Sequence, residues 1–137
     1  MQLNGPGQNR LKRDGTLESR KLPAHRKTMK LADKVHARFI RDRDRGICVI
    51  CGSTVQPECG HLFTRAAHST RWDYLPDGNC HCQCHACNMR HEEDAKPFTD
   101  WYIGKFGQAA YDALLARHNR VRRWSVGELE DLIRAMQ

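Results

Sequence analysis

Apolar residues fall into helical stripes at the two flanks of the chain and lose that order in the middle. Leu31, Val35 and Phe39 recur every four residues, and Ile40 widens the same face. The stripe predicts a helix from about Thr28 to Asp44, with Lys34, Arg38, Arg41 and Arg45 mostly off it and Gly46 placed to stop it. Towards the other end, Thr99 can cap a segment through Trp101, Tyr102, Ile103 and Phe106. A further helix is expected over Gln108 to about His118, with Tyr111, Leu114 and Leu115 inward. Ser125-Val-Gly-Glu128 has the form of a capping box and opens a last helix with Leu129, Leu132, Ile133 and Met136 on one face. Between the flanks, Pro57 to Phe63 and Asn79 to Gln83 suit the two strands of a hairpin. The linking stretch 64–78 is polar and irregular, and Pro76, Asp77 and Gly78 favour a turn at its end. A short helix is expected from about Cys84.

Residues 1–24 contain Leu3, Leu11, Leu17 and Leu22 without a sustained period and read as a basic, flexible arm. The expected organisation is α+β. The arm precedes a single domain at 25–137, made of a helix at 28–45, a metal-braced core at 46–95 and a helical tail at 96–137.

Charge sharpens this division. The formal net charge of +7 is concentrated at the front: thirteen Lys/Arg against five Asp/Glu in residues 1–45 give +8. Residues 46–95 carry three against six, or −3, and residues 96–137 seven against five, or +2. A basic arm on a more acidic centre suits a polyanionic partner such as DNA. No apolar run is long enough to span a membrane, and no secretion signal is visible, so a cytoplasmic location is expected.

Seven cysteines in 137 residues is an odd, high count. Cys48-Val-Ile-Cys51 and Cys84-His-Ala-Cys87 have the short spacing that lets paired thiolates bind one ion. Together they predict a closed, structural four-cysteine zinc site rather than a disulfide framework. Cys59, Cys80 and Cys82 are surplus, and Cys80-His-Cys82 or His85 are rival ligands. Gly60-His61 lies between the pairs, and histidine titrates close to neutral pH, so His61 is a candidate general base for activating water. Asn88 directly follows a cysteine of the second pair, and its amide oxygen suits a hard cation such as Mg²⁺ or Mn²⁺. Asn79 is a candidate for fixing the loop that aims His61, and Arg65 or Arg71 for clamping a phosphate.

The run Cys48-Val-Ile-Cys51, Gly60-His61, Asn79 and Cys84-His-Ala-Cys-Asn88 resembles the HNH, or ββα-metal, endonuclease superfamily. That resemblance implies a hairpin and helix around one divalent cation, with His61 as general base, Asn79 as the structural middle residue and Asn88 as the metal-binding residue. A narrower likeness spans about residues 26–134. Its carriers include Phe39-Ile-Arg-Asp-Arg-Asp44, Gly60-His-Leu-Phe63, Trp72-Asp-Tyr74, Gln83-Cys-His-Ala-Cys-Asn88, Tyr102-Ile-Gly-Lys-Phe-Gly107 and Trp124-Ser-Val-Gly-Glu-Leu-Glu130. In these stretches the chain is similar to the NinG (Rap) recombination proteins of lambda-like phages. The family implies a structure-specific DNA endonuclease acting on Holliday junctions and D-loops in homologous recombination, with a phage or prophage origin.

One position departs from the pattern. Many HNH enzymes place a metal-binding Asp directly before the base histidine, where this chain has Gly60. His68 and His81 are the candidates to replace it as ligand or to contact phosphate, and Glu58 is a weaker one. A homodimer is expected if paired strands are cut, and a recombinase is a candidate partner. The competing functional readings are a zinc-stabilised DNA-binding protein without catalysis and a zinc scaffold that binds only protein.

Overall fold

In the computed structural model the described residues are 10–11, 17–18 and 23–137. The expected arm at 1–24 lies largely outside them. Within it, β1 (Arg10–Leu11) and β2 (Leu17–Glu18) form an antiparallel pair. The rest is an α+β fold: α1 (Ala24–Arg43), a hairpin of β3 (Pro57–His61) and β4 (Cys80–Cys84), then α2 (His85–Glu93), α3 (Lys96–Phe106), α4 (Gln108–His118) and α5 (Val126–Met136). No described helix is long and apolar enough to cross a membrane.

Helix α1 begins four residues earlier than its apolar stripe predicts, and its buried line is Ala32, His36 and Ile40. Leu31, expected on the apolar stripe, is 49 % exposed, whereas His36 is only 2 % exposed. The difference is a rotation of the buried face by about one residue, which brings a histidine inward. Ala32 is small enough for close approach of α5, and the two meet Trp72, Leu129 and Ile133 in one core cluster. Gly46, at φ +66°, closes the helix by donating its N–H to Arg41 O at 2.8 Å. Ser125 and Glu128 cap α5 reciprocally: Ser125 Oγ accepts from Glu128 N, and Glu128 Oε1 accepts from Ser125 N. A second core, Leu62, Phe98, Tyr102 and Leu114, joins the residue after β3 to α3 and α4.

The hairpin pairs Glu58 with Gln83, Cys59 with Cys82, Gly60 with His81 and His61 with Cys80. Side chains alternate along a strand and directly paired residues share a face. Cys59, His61, Cys80 and Cys82 therefore project from one face, and Glu58, His81 and Gln83 from the other. Helix α1 approaches the first face through His36.

The long connection 62–79 is fastened at both ends. Asn79, fully buried, accepts from Phe63 N at 2.8 Å and donates to Phe63 O at 2.9 Å. Asp73 receives Arg117 through both guanidinium nitrogens, at 2.6 and 2.7 Å, and also accepts from Asn79 N. Arg71 and Trp72 donate to Asp33 on α1 at 2.9, 2.6 and 2.8 Å. Burial alone would raise the Asp33 carboxyl, but these donors and the charge of Arg71 outweigh it and hold it below its ordinary value. The stabilisation is complete above the ordinary carboxylate range and is lost as pH falls through the depressed folded value. Asp33→Ala should cost about 1–3 kcal/mol in urea unfolding at pH 7. The difference from wild type should shrink as the pH is lowered below about 4. An undiminished difference in acid would refute this account.

Candidate functional site

Four cysteines meet where the knuckle after α1 touches the end of the hairpin. Cys48 and Cys51 flank a turn in which Gly52, at φ +77°, donates to Cys48 O and Cys48 N donates to Ser53 O. Cys84 ends β4 and caps α2, its Sγ accepting from Cys87 N at 3.4 Å. The ligand sulfurs of Cys48, Cys51, Cys84 and Cys87 all lie within 4.8 Å of one another. An all-thiol tetrad of this size fits zinc, and it leaves no coordination position for a substrate. Burial pushes the Cys48 thiol up, but backbone N–H groups from Cys51, Cys84 and Ile50 more than offset it and bring it down to about 7.

Next to the tetrad, Glu58 on β3 reaches α2. Its Oε1 accepts from Asn88 Nδ2 at 2.8 Å, and its Oε2 lies 2.7 Å from His85 Nδ1. Burial would raise the Glu58 carboxyl, yet the Asn88 and His85 bonds and the His85 charge hold it below its usual value. Glu58, His85 and Asn88 all keep solvent access. By spacing alone His85 is a rival zinc ligand and Glu58 a weaker metal candidate, whereas the structure joins both to the Asn88 side of the hairpin. The signal available was parity: Glu58 and Gly60 share a strand face, so Glu58 sits on the side that α2 covers.

His61 faces the other way. Its Nε2 bonds Arg71 O at 2.9 Å, and it joins His36, Cys59 and Cys80 in a second group whose ligand atoms lie within 4.8 Å of one another. Burial chiefly lowers its pKa below the ordinary histidine value. His61 and Asn88 thus project from opposite sides of the hairpin. Cys82 belongs to neither group; its N–H donates to Asp44 Oδ2 at 2.8 Å, and burial first, then Asp44, raises its thiol to about 11.

The remaining candidates are dispersed. His81 is enclosed by Phe98, Trp101, Tyr102 and Phe106. Its Nδ1 accepts from Arg43 at 3.1 Å and its Nε2 bonds Gly78 O at 2.8 Å, so both ring nitrogens are engaged. His68 packs its ring against Trp72 on the connection. Arg71 is held by Asp33, whereas Arg65 is exposed. Asn79 serves the loop as described above.

The space beside Gly60 is filled by Gln83. A Cβ at Gly60 would come 2.1 Å from Gln83 Oε1 and 2.8 Å from Gln83 Cδ. Gly60→Asp therefore forces a buried side chain to move and should cost at least about 1–3 kcal/mol of stability. Thermal unfolding reads this directly. An unchanged midpoint would mean that the space can accept a carboxylate.

Sequence comparison agrees with the likeness carried by these motifs. The family profile described as "Bacteriophage Lambda NinG protein" matches residues 8–137. "Protein ninG" of Escherichia phage 933W is 36 % identical over 104 residues, covering 73 % of this chain and 50 % of the relative. "Protein ninG" of Escherichia phage lambda is 35 % identical over 104 residues, covering 73 % and 49 %. The chain thus spans about half the length of these relatives. No solved structure matches it. With the family profile covering nearly all of the chain and these relatives about three quarters of it, the chain belongs to the NinG family.

Proposed function

We propose that this chain is a divalent-cation-dependent, structure-specific DNA endonuclease, with its reacting centre at Glu58, His85 and Asn88. The observation that carries the proposal is the Glu58 carboxylate, which joins a histidine and an asparagine beside the cysteine tetrad in a NinG-family chain. The substrate class, branched recombination intermediates such as Holliday junctions and D-loops, comes from the family resemblance.

Each residue has a part. Asn88 donates Nδ2–H to Glu58, which leaves its Oδ1 as an oxygen donor next to the carboxylate. The two oxygen types fit a hard cation such as Mg²⁺ or Mn²⁺. Such a cation, when bound, supplies Lewis-acid stabilisation of charge on the phosphate and leaving oxygen. Glu58 holds His85 with Nδ1–H donated, so Nε2 carries the basic lone pair. His85 takes a proton from water at Nε2, and the carboxylate stabilises the resulting imidazolium. Arg65 is exposed, but its charge acts on His61 and Asp33, on the face away from Glu58, so no phosphate contact at this centre is assigned to it. Hydrolysis leaves a 5′ phosphate and a 3′ hydroxyl. The zinc tetrad acts only as a brace, fixing the start of α2 and hence His85 and Asn88.

The base role that the sequence suggested for His61 passes to His85 in this proposal. His85 is solvent-accessible and on the Asn88 side, whereas His61 is turned to two thiols and a second imidazole. A homodimer would supply the two centres needed for paired cuts.

The test is incubation of zinc-checked wild-type chain with a labelled four-way junction and a matched linear duplex. Junction cutting with Mg²⁺ or Mn²⁺ that stops in EDTA supports the proposal. Salt-dependent junction binding without cutting under any of these conditions favours the non-catalytic DNA-binding reading instead.

A further inference from the structure

We propose that His36, Cys59, His61 and Cys80 form a second, Cys₂His₂ zinc site that fastens α1 to the hairpin. The four residues come from α1, β3 and β4, and their ligand atoms converge within 4.8 Å. In a tetrahedral zinc site with bonds of about 2.0–2.3 Å, ligands stand roughly 3.3–3.8 Å apart, so inward shifts of under about 1 Å would close the shell.

Imidazole orientation distinguishes this group from a chance cluster. His36 Nε2 lies 2.7 Å from Asp73 O, and His61 Nε2 lies 2.9 Å from Arg71 O. A carbonyl can only accept, so both rings carry their proton on Nε2. In the neutral rings Nδ1 is then the lone pair, and His36 Nδ1 points to Cys59 Sγ at 3.9 Å. This is the outer-shell arrangement by which metal-binding histidines are fixed in tautomer and direction. The carbonyls of Asp73 and Arg71 belong to the connection that Asp33, Asn79 and Arg117 hold in place, so the outer shell is itself supported.

The chemistry suits the surroundings. Two thiolates and two neutral imidazoles balance the charge of Zn²⁺, so a neutral unit would lie among His36, at 2 %, and Cys80, at 0 % exposure. The tetrad of Cys48, Cys51, Cys84 and Cys87 would instead carry two net negative charges and lies nearer the surface, with Cys51 exposed. Soft sulfur with imidazole nitrogen selects zinc over magnesium or calcium. The site would also account for the rotated face of α1, since only that rotation presents His36 to the hairpin.

The proposal stands apart from the catalytic reading and is tested without DNA. Full-length chain, purified reduced with zinc supplied, should carry two zinc ions by elemental analysis. Zinc-edge X-ray absorption should show an average first shell of about three sulfurs and one nitrogen, the mean of an S₄ and an S₂N₂ site. One zinc per chain, or an all-sulfur shell, would overturn the proposal. Because both readings use the wild-type protein, misfolding of a variant cannot obscure them. Cys80→Ser should in addition lower the content from two zinc ions to one and shift the remaining shell to all sulfur. Two zinc ions retained in Cys80→Ser, with unchanged shell composition, would also overturn it.

Discussion

Cys84→Ser is expected to yield a chain that neither holds zinc at the tetrad nor folds its hairpin and α2. Cys84 has three structural tasks. It is the last residue of β4, its sulfur is one of four converging thiols, and the same sulfur accepts the N–H of Cys87 at the start of α2. The hairpin has five-residue strands, and an isolated two-stranded hairpin is marginal in water. Structural zinc contributes apparent binding energies on the order of 10–16 kcal/mol, comparable with the entire stability of a small domain at roughly 5–15 kcal/mol. Loss of this ion therefore exceeds what the apolar clusters can absorb locally. Far-UV circular dichroism and zinc content report the outcome together. A folded Cys84→Ser chain with the wild-type unfolding midpoint would show that the tetrad is dispensable. A strong chelator should produce the same collapse in wild type, starting from the hairpin and α2.

The second large effect concerns chemistry rather than folding. Asn88→Ala and Glu58→Ala should each lower junction cleavage by about 10²–10⁴-fold while leaving zinc content and junction binding nearly unchanged. Both side chains keep solvent access, so their loss opens no cavity in either apolar core. Glu58→Ala removes the partner of both His85 and Asn88 at once. The double variant should consequently be little worse than the weaker single variant, as is usual for residues that act as a unit. Multiplicative losses would mean that Glu58 and Asn88 act in separate steps, and wild-type rates in both would remove the centre from this side of the hairpin.

The flanking helices were legible because capping and periodicity are local properties. Ser125 and Glu128 lie one helical turn apart, so their reciprocal bonds follow from spacing. The four-cysteine tetrad was legible for a related reason, since each Cys-x-x-Cys pair can be brought onto one ion by a single turn. The second cluster of candidate ligands was not. Its members stand at positions 36, 59, 61 and 80, and only the strand register and the rotation of α1 bring them together. His36 carried a faint signal, lying between Ala32 and Ile40 at four-residue intervals. Reading the stripe on Leu31, Val35 and Phe39 placed that signal on the edge of the helix.

The same long-range dependence underlies the proposal that His85, rather than His61, is the base. In sequence, Gly60-His61 is the eye-catching motif and Glu58 looks incidental. Strand alternation reverses their relation to α2: Glu58 shares its side with Gln83, while His61 shares its side with Cys80. The parity was present in the sequence, but which side α2 would cover was not. Gly60 itself becomes intelligible only in three dimensions, because buried Gln83 occupies the space that a side chain there would need.

The most direct measurement is single-turnover cleavage of a labelled four-way junction by zinc-checked wild type and His85→Ala, side by side in Mg²⁺. His85 is exposed at the start of α2, so its replacement should leave the fold intact. Wild type should cut and His85→Ala should be slower by about 10²–10⁴-fold, with added imidazole restoring part of the rate. Equal rates for the two proteins would contradict the assignment of the base, and a wild-type chain that binds the junction but never cuts it would contradict the nuclease itself.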